Sequence, residues 1–212
     1  MSGIMSQGRH EALSAEDGRR AVELARESVQ SFVEHGRRQD PGSMRDAFYM
    51  RAGAVVRLET GDRGGRLRGC ASAPERPTTL AADSVQLGHA IVDAAVRAAS
   101  DESRGEVRPA ELSNLAVSVF TVQGIEECED PESELRIGQD GVAMEGRESM
   151  AWLYPTVPDT QGWSAVECLD RTARKAGLPG DAWESPDVAV LRLAGQVFEQ
   201  EAPGGHVREF LE

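Results

Sequence analysis

The stretch Leu115–Val122, LAVSVFTV, decides how the chain is read. Its side chains alternate with period two, the signature of a half-buried strand with one face on a core. A second long run with the same alternation, Val188–Phe198, lies near the other end of the chain. Between and before them the helical and extended patterns fall in the order helix, strands, helix, strands, helix, strand. Regular strand–helix–strand alternation is missing, which argues against a parallel sheet. The expected class is α+β with a mainly antiparallel sheet and about three main helices.

Working outward, Ser14-Ala15-Glu16-Asp17 reads as a capping box, with an acid three residues after the serine. Val22, Ala25, Val29, Phe32 and Val33 follow at helical spacing, which predicts an amphipathic helix over residues 15–35 ending near Gly36. Ala52–Glu59 and Leu67–Ala73 are expected to pair as a hairpin across the glycine-rich stretch 60–65. Residues 84–100 present a broad apolar face and predict a second, well-buried helix. Pro109–Leu112 reads as a short helical turn. Leu135–Glu145 is expected to form a hairpin through Gln139-Asp140-Gly141, because Asp-Gly is a strong turn signal. Met150–Val157 reads as extended up to its proline. Ser164 and Glu167 form a second capping box, opening a helix over residues 165–176 that Gly177 closes. Residues 1–12 are expected to be a flexible tail, 13–205 a single domain and 206–212 a C-terminal tail.

The chain has 212 residues, of which 23 are basic and 36 acidic, for a formal net charge of −13. A chain of this length buries enough surface to need neither disulfides nor metal. All of its basic residues but Lys175 are arginine. An acidic, lysine-poor surface suits concentrated salt, where screening over about 3 Å at 1 M removes the self-repulsion. A GC-rich genome that replaced lysine codons is the alternative source of the arginines, although it leaves the acidic excess unexplained. Nucleic acid is an unfavourable partner for such a charge, since DNA affinity rests on phosphate neutralisation. No apolar run reaches the length of a membrane span, and the N-terminus lacks a signal or lipidation motif. Cys70, Cys128 and Cys168 are odd in number and far apart, which argues against a disulfide framework. A cytoplasmic protein is the expectation.

Chemical signatures are sparse. Motifs for zinc proteases, phosphate-binding loops and nucleophile elbows are missing, and the sequence names no cofactor. The four histidines are scattered without ligand spacing, so no metal site is expected. One segment stands out: Arg66-Leu67-Arg68-Gly69-Cys70. Gly69 lets the backbone approach something closely. Cys70 is a candidate nucleophile whose thiolate Arg68 would stabilise; the rival reading is a packed strand cysteine beside ion-paired arginines. Tyr154 and Trp163 flank a loop and either line a pocket or staple the following helix. Lys175 survives as an ammonium in a chain that otherwise uses arginine, and a compact three-donor charge is not replaceable by a guanidinium.

These segments line up with a family. Leu67-Arg68-Gly69-Cys70 resembles the signature of the AMMECR-one domain family, in which the cysteine is normally followed by Ile-Gly and here by Ala71-Ser72. Gly138 with Gly141-Val142, Tyr154-Pro155-Thr156-Val157, Gly162-Trp163, and Lys175-Ala176-Gly177-Leu178 with Trp183 are similar to its later motifs, in order. The family's phenylalanine-containing stretch after the second helix is replaced by Asp101–Arg104. The resemblance covers roughly residues 15–200. It implies a larger and a smaller subdomain packed around antiparallel sheets. It also implies component A of the AmmeMemoRadiSam system, with a Memo-like protein and a radical-SAM protein as partners and the Leu-Arg-Gly-Cys loop as functional centre. Two functions follow. One is a binding or accessory module in which Gly69, Tyr154, Trp163 and Lys175 serve recognition. The other is a cysteine enzyme in which Cys70 and Arg68 are catalytic. A sulfur on a concave surface beside Arg68 favours the enzyme; a sulfur enclosed by apolar side chains favours the module.

Overall fold

A computed structural model of the chain describes residues 12–42, 45–61, 65–76 and 85–210. Helix α1, Ala15–His35, starts where the sequence predicts. The Ser14 hydroxyl accepts from the Asp17 amide, and Asp17 reaches back to the Ser14 backbone. Gly36, left-handed at φ 63°, closes the helix. Residues 1–11 of the expected N-terminal tail lie outside the described residues.

The strands are β1 (Arg51–Thr60), β2 (Arg66–Ala73), β3 (Val85–Gln86), β4 (Leu115–Glu127), β5 (Gly141–Glu145), β6 (Met150–Leu153), β7 (Ala189–Gln200) and β8 (Val207–Glu209). They form one sheet in the order β2-β1-β4-β7-β5-β6, with β3 on β1 and β8 on β7. Every described ladder is antiparallel. The two runs of similar alternation are direct neighbours. Strand β4 pairs with β7 from Ser118 opposite Glu199 to Glu127 opposite Leu191.

Alternation divides the sheet into two faces. Ala54, Val56, Leu58, Val117, Val119 and Phe198 point to one face, where α1 and the helix α2, Leu87–Ala99, cover them. Alanines at 90, 94, 95, 98 and 99 keep α2 thin, so it lies close to the strands. Val55, Phe120, Val122, Leu193 and Val197 point the other way into a second cluster. The short helices α3 (Pro131–Glu134) and α4 (Thr156–Gln161) precede α5, Ala165–Lys175. Helix α5 covers Val142, Met144 and Val190, again on the face opposite that second cluster. Both helical layers therefore lie outside a curled sheet whose inner face carries Phe120 and Leu193. The fold is α+β and mainly antiparallel, with a larger layer under α1 and α2 and a smaller one under α5.

Three expectations need correction. Residues 135–140 are not a strand. The buried Asp140 carboxylate accepts from the Arg136 amide at 3.0 Å and from its guanidinium at 2.7 and 2.9 Å, folding that segment onto itself. Strand β5 instead turns into β6 through residues 146–149, where the Gly146 amide meets the Ser149 carbonyl. The extended stretch 150–157 stops at Leu153, because the Val157 amide turns back to the Tyr154 carbonyl and α4 begins. The C-terminal stretch is not a tail: Val207–Glu209 pair with β7, and Phe210 is buried against the inner cluster.

Two strand glycines are required by close approach. A Cβ on Gly69 would lie 2.0 Å from the Ala98 carbonyl oxygen of α2, and one on Gly195 would lie 1.7 Å from the Thr121 carbonyl oxygen. Both obstacles are backbone and cannot swing aside. Gly69→Ala and Gly195→Ala are each expected to lower unfolding free energy by about 1–3 kcal/mol. Gly124→Ala, whose nearest neighbour would be the Ala194 Cβ at 3.9 Å, should stay within about 0.5 kcal/mol of the parent. Denaturant titration of the three variants checks the ordering.

Candidate functional site

The antiparallel registers line up five polar residues in one row across the inner face. Cys70 on β2 is opposite Arg57 on β1, Arg57 opposite Ser118 on β4, Ser118 opposite Glu199 on β7, and Glu199 opposite Arg208 on β8. Arg208 Nη2 donates to Glu199 Oε1 at 2.8 Å. Arg57 donates to Glu59 through Nε at 3.0 Å, with its guanidinium carbon 5.7 Å from the centre of the Tyr154 ring. The Tyr154 hydroxyl reaches Ser118 Oγ at 3.1 Å, and its ring meets Phe120 edge-on at 5.9 Å. Tyr154 is 3% exposed, and this burial pushes its phenol well above the usual range.

Cys70 is half-buried and packs against the inner apolar cluster to which Phe120 and Tyr154 belong. Burial pushes its thiol up to about 11, and only in second place do the positive charges of Arg57, Lys175 and Arg104 pull it down. Desolvation outweighs the cations here. At neutral pH the group is a thiol, a poor nucleophile. Among the described residues all three cysteines are free, and the histidines at 35, 89 and 206 are exposed.

Arg68 is placed differently from its expected role. Its guanidinium pairs with Glu111, Nε to Oε1 at 2.6 Å, and donates to the carbonyls of Gly105 and Glu106 at 2.9 and 2.7 Å. It clamps the 105–111 segment against β2, and the guanidinium opposite Cys70 belongs to Arg57. Gly69 is accounted for by α2, as described above. Lys175 as a residue is exposed, yet its ammonium donates to the Trp152 carbonyl at 2.6 Å and lies 5.2 Å from the Trp152 ring centre. Desolvation of that tip lowers its pKa from the usual lysine value. Trp163 lies under Arg171, 4.3 Å from ring centre to guanidinium, one turn of α5 away from Lys175. It staples the helix.

The structure thus brings Cys70, Tyr154 and Lys175 to one end of the inner face and leaves Arg68 and Trp163 outside it. Sequence reasoning missed Arg57, Ser118 and Glu199. Each is a polar residue inside an otherwise apolar strand, in AVVRLE, LAVSVF and VFEQ, and that interruption was the available signal. Their mutual register was not.

The Arg68–Glu111 clamp has a pH signature. Arg68 and the Arg108 amide hold the Glu111 carboxyl at about 2, below its ordinary 4.5. A carboxylate lowered on folding stabilises the native state above its unfolded value, and that contribution fades as pH falls from 4.5 towards 2. Glu111→Gln is expected to flatten the acid limb of the stability curve in that window, measured by chemical denaturation at a series of pH values.

The AMMECR1 family model matches residues 22–198. A Halobacterium salinarum protein is 52% identical over 197 residues, covering 92% of this chain and 94% of its own. A Methanopyrus kandleri protein is 32% identical, covering 94% and 96%. The crystal structure of an uncharacterised protein from Pyrococcus horikoshii superposes with a TM-score of 0.81 at 29% identity, covering 93% of this chain and 98% of that one. The chain belongs to the AMMECR1 family.

Proposed function

We propose that the chain is a non-catalytic binding or accessory module of the cytoplasm that works with a Memo-like protein and a radical-SAM protein. The observation that carries this reading is the state of Cys70. Cys70 packs half-buried against the inner apolar cluster, burial pushes its thiol up to about 11, and the histidines among the described residues, at 35, 89 and 206, are all exposed. A nucleophile needs the reverse: a lowered pKa or an adjacent base. The recognition surface under this reading is the rim around Lys175 and Trp152, where an ammonium lies against an aromatic ring. Among the described residues no helix is long and apolar enough to cross a membrane. The acidic, arginine-rich surface is read as an adaptation to concentrated salt, in keeping with the Halobacterium relative.

The second reading, a Cys70-dependent enzyme, draws on Arg57 and Lys175, whose charges both favour the thiolate. Alkylation separates the two. Under the module reading, the rate of Cys70 modification by iodoacetamide, followed by peptide mass spectrometry, rises with pH towards a midpoint near 11. Cys70→Ala then captures the same partners as the parent in a high-salt pull-down. A midpoint in the neutral range would overturn the module reading in favour of the enzyme.

A further inference from the structure

Arg26, on α1, is the exception among the half-buried arginines. Arg20, Arg57, Arg68, Arg192 and Arg208 each form an ion pair with a carboxylate. Among the described residues Arg26 has no acidic partner. Its two hydrogen bonds, to the Leu115 carbonyl and to Gln200 Oε1, both go to neutral groups and both use Nη2. Nε is buried without a partner. Desolvation alone acts on this guanidinium and lowers its pKa, with no neighbouring charge offsetting it. An incompletely solvated cation without a counterion is unfavourable. It is all the more unexpected in a chain with 36 carboxylates.

The same residue lines a cavity of about 380 Å³ between α1, the 109–114 turn and the start of β4. That volume is within the range of small-ligand sites. Buried Val29, Leu115 and Val117, with half-buried Leu112, give it an apolar wall. Glu34 stands among its exposed lining residues. We propose that this cavity binds a small monocarboxylate with a short apolar chain: the carboxylate satisfies Arg26 and the chain fills the apolar wall. Glu34 disfavours a second negative charge on the same ligand, which selects a monocarboxylate over a dicarboxylate or a phosphate. The cavity is on the helical side of the sheet, away from the Cys70 row, so this site does not depend on the proposed partner surface.

The test uses isocaproate, its neutral alcohol and chloride as probes of the full chain by titration calorimetry at constant ionic strength. Saturable binding of isocaproate is expected, with little or none for the alcohol. Arg26→Met, which keeps the stem and removes the charge, should weaken binding about ten- to hundredfold. Leu112→Trp, which fills the cavity from its half-buried edge, should abolish binding while circular dichroism stays native. It serves as the independent variant if Arg26→Met does not fold. The proposal is overturned if isocaproate shows no saturable binding below about 10 mM, if the alcohol binds equally well, if chloride alone reproduces the signal, or if Leu112→Trp binds as the parent does.

Discussion

The pairing of β4 with β7 is the constraint on which the rest of the structure depends. These are the two longest strands, and they lie far apart in sequence. Strand β4 carries the β1–β2 hairpin on one side, while β7 carries β5, β6 and β8 on the other. The larger helical layer is attached through β1 and β4 and the smaller one through β5 and β7. A slip of one residue in this ladder would send Val117 and Val119 to the inner face and Ser118 to the helices. Gly195 guards the register, since its missing side chain lets the Thr121 carbonyl approach.

That register also creates the polar row. Arg57, Ser118 and Glu199 come together only because β1, β4 and β7 are aligned, and no local sequence feature joins them. The row sits at the border of an aromatic layer, where dielectric effects and charge oppose one another. At Cys70 burial prevails over three nearby cations, and at Lys175 an exposed residue carries a desolvated tip. The chemistry of this end of the sheet follows from solvent exclusion more than from charge.

Much of the architecture was legible because its signals are local. The serine capping boxes and helical apolar spacing placed α1 and α5, and period-two alternation placed β4 and β7. Helix α2 was legible from its alanine-rich apolar face. The missed features have physical reasons. Asp140-Gly141 looks like a hairpin turn, but the Asp140 carboxylate is claimed by Arg136, four residues earlier. Val207–Glu209 is too short to show periodicity and becomes a strand only by adding to β7. Within the site, Cys70, Tyr154 and Lys175 were visible as unusual residues. Arg68 was visible too, but its expected role passed to Arg57, because the partner of an arginine in space is not readable from its neighbours in the chain.

The clamp at Arg68 has a consequence for self-association. Among the described residues strand β2 ends the sheet, with no strand on its outer side, the kind of edge onto which another molecule's strand can add. In dilute buffer a net charge of −13 keeps copies apart, but concentrated salt screens that repulsion. Protection at high salt must therefore come from shape. The irregularity between Leu58 and Glu59 breaks the regular run of β2, and Arg68 holds the 105–106 backbone beside it. An irregular edge strand with a neighbouring segment tied to it hinders the addition of a regular strand whatever the ionic strength.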